Sequence, residues 1–203
     1  MKTCLILPNN YVQTDYVNLH ADRRLYRILN IVSFLIGAAV IAVGWLWKGF
    51  DALISLVLRG MNDYLLWVLL LAVCALACLA LHELTHGLFM RLFSGVRAHH
   101  GRKGLLLFTY SEAYFCRRDF LIIMLAPVLI FFVAFVIPAV FLQGEWFWLF
   151  MLLQAINLGG SVGDFYIAGR TLRQPKSALF LSVGVSVTVY TENTDEKNSD
   201  SGM

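Results

Sequence analysis

Two histidines and a glutamate stand inside an otherwise apolar stretch, CLALHELTHGLF, at residues 78–89. On an α-helix, residues four apart lie about 40° from each other and one turn displaced, so His82 and His86 can direct both imidazoles at one ion. Neutral imidazoles are typical zinc ligands, and Glu83 lies beside that face. A metal there lowers the pKa of its water to about 7, and the glutamate passes the proton to a leaving amine. The spacing therefore predicts a zinc site for hydrolysis.

A third ligand is expected elsewhere in the chain, because catalytic zinc usually takes three protein ligands and leaves one position for water. The other ionisable residue well inside an apolar segment is Asp164, in QAINLGGSVGDFYIAGR. Counting along each helix, Asp164 lies roughly 9 Å before Arg170, and His82 lies roughly 13 Å before Arg91. Since both segments are expected to end on the same side of a membrane, the similar depths favour one site formed by His82, His86 and Asp164.

Asn157 precedes Asp164 by seven residues, which places it on nearly the same face if the helix is continuous. Its amide is able to donate a hydrogen bond to a substrate carbonyl or oxyanion. A buried asparagine equally often bonds only a neighbouring helix, and the sequence leaves both roles open. The nearby Gly159, Gly160 and Gly163 allow helices to approach closely.

The composition is that of a membrane protein, since 59% of the 203 residues are hydrophobic and 14% are charged. A bilayer-spanning helix needs about 20 apolar residues. Four such stretches occur, at Ile28–Trp47, Leu65–Met90, Phe120–Leu142 and Trp146–Gly169. The expected fold is mainly α: a polytopic membrane protein with about four transmembrane helices and a small β element on the cytosolic side.

Lysine and arginine are concentrated in three segments, residues 1–27, 91–118 and 170–203, while the two opposite loops carry only Lys48 and Arg59. Because cytosolic loops carry the excess of these residues, both termini are expected in the cytosol of a multi-pass cell-membrane protein. The net charge of +3 is explained by this distribution and by lipid headgroups, so no nucleic-acid partner is expected.

Three regions are predicted along the chain. Residues 1–27 are a cytosolic N-terminal segment, residues 28–190 a membrane-embedded domain and residues 191–203 a disordered polar tail. Within the domain, residues 104–115, GLLLFTYSEAYF, favour extended structure. Residues 182–190, SVGVSVTVY, alternate as one strand with Val183, Val185, Val187 and Val189 on a common side. The two segments are expected to pair at the membrane surface.

Other histidines and cysteines in the chain are candidates either for metal binding or for ordinary surface and packing roles. His99 and His100 either form a second metal site or are ordinary surface residues, and the second reading is favoured. The four cysteines show no disulfide pattern. Cys78 lies one turn before His82, where it either packs or supplies a further ligand.

The motif HELTHGLF, the LAP of residues 125–127 and the segment from Asn157 to Asp164 resemble the site-2 protease class of intramembrane zinc metalloproteases. They resemble more closely a family of small bacterial membrane proteins (DUF3267) described as putative zincin peptidases. The resemblance covers roughly residues 20–190. It implies that His82, His86 and Asp164 bind zinc, that Glu83 is the general base, and that Asn157 contacts substrate.

The second motif departs from the site-2 pattern of Asn-x-x-Pro followed by an Asp-Gly pair. Gly160 stands at the proline position, and Phe165 follows the aspartate. This departure affects the role that the resemblance implies for Asn157 more than the role that it implies for Asp164.

The sequence therefore predicts a membrane zinc metalloprotease that cleaves peptides or transmembrane proteins near the cytosolic face. One alternative is a non-catalytic membrane protein that binds metal and partner helices, with Cys78 completing the ligand set. A metal transporter is disfavoured because there is a single ligand cluster and no second set of intramembrane acids.

Overall fold

The computed structural model describes residues 2–19, 21–103, 106–183 and 186–193. The described chain is mainly helical with a small antiparallel sheet. The helices are α1 (Arg23–Lys48), α2 (Asp51–Arg59), α3 (Met61–Ser94), α4 (Arg117–Phe141), α5 (Gly144–Gly160) and α6 (Val162–Arg173). The strands are β1 (Tyr11–Asn18), β2 (His99–Lys103), β3 (Leu106–Tyr110), β4 (Phe115–Cys116), β5 (Leu179–Val183) and β6 (Ser186–Glu192).

Three of these helices, α1, α3 and α4, are long and apolar enough to cross a membrane. The pair α5 and α6 counts as a fourth candidate span, broken at one residue and bent by 43°. This confirms the predicted mainly α, multi-span fold. The short helix α2 lies in the loop predicted between the first two spans. Its nine residues are too few to span a bilayer.

The predicted fourth helix is not continuous, since α5 ends at Gly160 and α6 begins at Val162. The hydroxyl of Ser161 donates to the carbonyl of Asn157 at 2.7 Å, and the Ser161 amide bonds the same oxygen at 3.1 Å. Such back-bonding by serine competes with the helical ladder and bends helices. Asn157 and Asp164 consequently lie on different helices, which corrects the expectation that they share one helix face.

Local sequence explains where α1 begins and where α3, the helix that carries the HELTHGLF motif, ends. Asp22 caps the start of α1, because its Oδ1 accepts hydrogen bonds from the amides of Arg24 and Leu25 at 2.8 and 3.1 Å. Gly95 ends α3 with a positive φ of 75°, a conformation that other residues rarely adopt, and its amide bonds the carbonyl of Arg91 at 2.9 Å. The HELTHGLF motif is thereby held within one uninterrupted helix.

The strands form two sheets. A four-stranded antiparallel sheet has the order β1-β6-β5-β4, and β2 and β3 form a separate hairpin. The central segment pairs with residues just before the predicted C-terminal strand, not with residues 182–190, because the ladder of β4 and β5 joins Phe115 to Phe180 and Cys116 to Leu179. At the other edge, the Tyr11 hydroxyl donates to the carbonyl of Ser177, and burial together with the Glu192 carboxylate raises the pKa of Tyr11 to about 12.

Three details of the sheet differ from the sequence-based expectation. The single strand predicted over 182–190 is a hairpin in which β5 ends at Val183 and β6 begins at Ser186, with residues 184–185 outside the described residues. Val183 is therefore half exposed, whereas Val187 and Val189 are buried. The strand β1 lies in the N-terminal segment, where no strand was predicted, and β6 continues to Glu192. The rest of the predicted tail, 194–203, lies outside the described residues.

The described chain divides into two compact units. The sheet unit comprises the described residues of 1–26, 83–126 and 164–203, and the helix unit comprises residues 27–82 and 127–163. In the sheet unit, the end of α3, the start of α4, and α6 pack on the four-stranded sheet through a core that includes Met90, Phe120, Ile167 and Phe180. The rings of Phe120 and Phe180 stack with centroids 5.0 Å apart.

The helix unit has its own core around Phe147, Trp148 and Met151 of α5. Close helix contact is visible at Gly159, where a Cβ would lie 3.0 Å from the carbonyl oxygen of Ser33 in α1. The Ser33 hydroxyl in turn donates to the Gly159 carbonyl at 2.6 Å. This confirms a close-packing role for Gly159, while a Cβ at Gly160 would meet nothing within 4 Å in the described chain.

Candidate metal centre

The two histidines of the motif lie one turn apart on α3, and each ring is held by a neighbour. His86 is buried, 5% exposed, and its Nδ1 lies 2.8 Å from the carbonyl oxygen of Ile123 in α4. His82 is half-buried, and its ring stacks on that of Phe131 with centroids 6.4 Å apart. Because a carbonyl only accepts hydrogen bonds, the Ile123 contact places a proton on Nδ1 of His86 and leaves Nε2 to face the site.

Asp164 lies in the first turn of α6, a position where the helix dipole favours a carboxylate. Its Oδ1 is 3.6 Å from Nε2 of His86. Ligand atoms of His82, His86 and Asp164 all lie within 4.8 Å of one another, and they form the one such group of three or more found among the described residues. The structure thus brings together the three residues that the sequence predicted as ligands.

The chemistry of this donor set fits zinc. Zinc accepts imidazole nitrogens at about 2.0–2.1 Å and carboxylate oxygens at about 2.0–2.2 Å, which puts two ligands of a tetrahedral ion roughly 3.4 Å apart. The separation of 3.6 Å between His86 and Asp164 is close to that value. A set of two histidines and one carboxylate also leaves one tetrahedral position for water, as catalytic zinc requires.

Glu83 is held by a residue that the sequence did not single out. The hydroxyl oxygen of Thr109, in β3, lies 3.0 Å from Oε2 of Glu83 and 2.9 Å from the main-chain oxygen of the same residue. Thr109 is buried, 6% exposed. Since its single hydrogen is donated to Glu83, its oxygen accepts the contact of 2.9 Å from Nδ1 of His100. The β2–β3 hairpin therefore contacts the glutamate of the motif directly.

Gly87 allows this close approach of the hairpin to α3. A Cβ at Gly87 would lie 2.6 Å from Cε1 of His100 and 3.3 Å from Cγ2 of Thr109. The glycine of HELTHGLF thus has a steric role beside the motif.

His99 and His100 belong to no metal-binding group in the part of the chain that the structure describes, so a second metal site is not found there. The ring of His99 stacks on Tyr110 at 5.2 Å, and His100 contacts Thr109. All four cysteines are free thiols, and Cys78 is absent from the ligand group of the described residues.

Asn157 is buried, 3% exposed, and its Nδ2 donates to the carbonyl of Val128 in α4 at 3.2 Å. Its Oδ1 has no hydrogen-bond partner among the described residues, and neither amide atom of the buried Gln154 one turn earlier has one. One end of the Asn157 side chain therefore bonds a neighbouring helix, and the other end is a buried acceptor.

Sequence reasoning missed Thr109 and the Ile123 carbonyl, and it interpreted His100 as a surface residue rather than a contact of Thr109. Thr109 and His100 reach the site through a hairpin contact that local patterns do not encode. The sequence does indicate that the Ile123 carbonyl lacks its helical donor, because the residue four positions later, Pro127, has no amide hydrogen.

Residues 75–179 of the chain match the family model described as putative zincin peptidase. The matched region begins within α3, before the HELTHGLF motif, and ends at the first residue of β5. Neither the curated proteins nor the solved structures gave a match.

Proposed function

We propose that this chain, which belongs to the putative zincin peptidase family, is a membrane-embedded zinc metalloprotease of the HExxH, site-2 protease-like type. The observation that carries the proposal is the grouping of His82, His86 and Asp164 around one point, with Glu83 next to His82 in the same helix. Three apolar helices, or four with the broken pair, are consistent with a multi-pass membrane protein.

In this proposal His82, His86 and Asp164 hold the zinc ion. Zinc bound there would supply Lewis acidity that activates water and polarises the scissile carbonyl. The Glu83 carboxylate accepts the proton released by the attacking water and later gives it to the departing amine. The Thr109 hydroxyl holds Oε2 of Glu83 in place during both transfers.

Asn157 is proposed as a substrate contact. Its Oδ1 is a buried acceptor without a partner in the described chain, and a substrate peptide N–H is a suitable donor for it. Its Nδ2 remains bonded to Val128, which fixes the direction of the side chain.

The substrates are proposed to be membrane or membrane-surface peptides that are cut near the cytosolic face of the cell membrane. The support is the excess of lysine and arginine in the segments on one side, including Arg91 at the end of the helix that carries the motif. Because a helical peptide bond is protected by its own hydrogen bonds, a substrate helix must unwind before it is cleaved.

The test is cleavage of a membrane peptide library by purified protein, comparing wild type with Glu83→Gln. The matched control is Glu112→Gln, which changes an exposed glutamate in the loop after β3. Loss of the general base should lower kcat by roughly 10²- to 10⁴-fold, while the control should retain wild-type turnover.

Full activity in Glu83→Gln would contradict the assigned mechanism. The alternative, a non-catalytic membrane protein that binds metal and partner helices, predicts bound zinc and no turnover in the wild type. It also predicts that Cys78→Ala loses metal, whereas the protease proposal predicts that Cys78→Ala keeps it.

A further inference from the structure

Pro127 lies inside α4, where the structure keeps an uninterrupted helix from Arg117 to Phe141. In an α-helix, the amide of each residue donates to the carbonyl four residues earlier. Proline has no amide hydrogen, so the carbonyl of Ile123 loses the donor that any other residue at position 127 would provide. Ile123 is fully buried. A buried carbonyl in an apolar helix requires another partner.

That partner is the imidazole of His86, whose Nδ1 lies 2.8 Å from the Ile123 oxygen. Both residues belong to the sheet unit and both are buried. Because a hydrogen bond in a dry interior is strong and an unpaired polar group there is costly, each group stabilises the other. The contact also fixes which ring nitrogen carries the hydrogen, and it directs Nε2 at Asp164.

We propose that Pro127 is a positioning residue for the metal site: by withholding a helical N–H it reserves the Ile123 carbonyl for Nδ1–H of His86, so that the Nε2 lone pair faces the ion. The predicted effect on zinc binding rests on the proposed function. The predicted effect on the His86 tautomer does not, because it concerns a ring and a carbonyl that are both present in the metal-free protein.

The substitution Pro127→Ala supplies the missing donor. The new amide would compete with His86 for one carbonyl oxygen, and alanine favours a helix, so the variant is expected to fold. Hydrogen bonds that orient a ligating histidine typically contribute 10- to 100-fold in metal affinity. A loss of about that size is expected here.

Pro138 provides a matched control within the same helix. Pro138→Ala makes the same chemical change about three turns later in α4, where the carbonyl that gains a donor is that of Ala134. It should reproduce any general effect of removing a proline from this helix and leave the Ile123 carbonyl unchanged.

The experiment records nitrogen chemical shifts of ¹⁵N-histidine-labelled, metal-free protein at mildly alkaline pH, with His86 assigned from a His86→Gln sample. Zinc affinity is then measured for the same proteins. Wild type and Pro138→Ala should show His86 as the Nδ1–H tautomer. Pro127→Ala should show a mixture of tautomers and roughly 10- to 100-fold weaker zinc binding.

A wild-type His86 in the Nε2–H form would overturn the inference, as would a Pro127→Ala protein with the wild-type tautomer and affinity. If the tautomer changes as expected but the wild type binds no zinc, the proposed function fails while the role of Pro127 in orienting the ring stands. The two failures are therefore distinguishable.

Discussion

The hydroxyl oxygen of Thr109 lies 3.0 Å from Oε2 of Glu83, although the two residues are 26 positions apart in the chain. This contact joins the β2–β3 hairpin to the helix that carries the motif. A carboxylate that moves protons must be held in one orientation, and a buried hydroxyl from another element provides that restraint. The hairpin is thus part of the proposed catalytic apparatus rather than a connection between helices.

Thr109→Val removes the hydroxyl and keeps the side-chain shape. Because a hydrogen bond to a charged group contributes about 1.5–3 kcal/mol, kcat should fall roughly 10- to 100-fold. Zinc content should stay at the wild-type level, since Thr109 is not a ligand. Thr109→Ser should restore most of the activity in a peptide-cleavage assay. A valine variant with wild-type turnover would show that the hydroxyl does not orient Glu83.

Gly87→Ala tests the close approach of the hairpin. The added methyl group would lie 2.6 Å from the His100 ring, which must then swing away from Thr109. We expect kcat to fall several-fold, while the helix itself gains about 0.5–1 kcal/mol from the alanine.

The control for this change is Gly169→Ala in α6, where a Cβ meets nothing within 4 Å in the described chain. It should gain stability in thermal unfolding and keep wild-type turnover. Equal activity in the two alanine variants would contradict a steric role for Gly87.

Membrane orientation is tested by thiol labelling of a variant without native cysteines. With both termini in the cytosol, Ser201→Cys should react with a membrane-impermeant maleimide only after cells are opened. Gln143→Cys, between α4 and α5, should react in intact cells. The reverse labelling pattern would invert the topology and place the proposed cleavage at the other face.

The sequence predicted the long helices well because their apolar stretches exceed the length that a bilayer requires. It also predicted the meeting of His82, His86 and Asp164, since the depth of a residue in a spanning helix follows from a constant rise per residue. That prediction did not depend on the wrong assumption that α5 and α6 are one helix, because the depth of Asp164 was counted to Arg170 and both residues lie within α6.

Features that depend on contacts distant in sequence were not predictable in the same way. The strand β1 lies in a polar segment, and its pairing partner β6 is some 170 residues later, with Val17 opposite Val187. The sequence alternates strictly over 182–190, although β5 ends at Val183 and β6 begins at Ser186, so periodicity alone cannot reveal the two strands. Thr109 is an ordinary residue of a short strand until the fold brings it to Glu83.

Asp164 is proposed to complete a zinc site with the two histidines of the motif. The most direct test of this proposal is the zinc content of purified wild type, Asp164→Asn and Asp63→Asn, measured after dialysis against a weak chelator. Asp63 is the matched control, because it also lies in the first turn of a helix, α3, and has the same charge. We expect one zinc ion per chain in wild type and in Asp63→Asn, and little zinc in Asp164→Asn. Full zinc retention by Asp164→Asn, or a wild type that binds none, would contradict it.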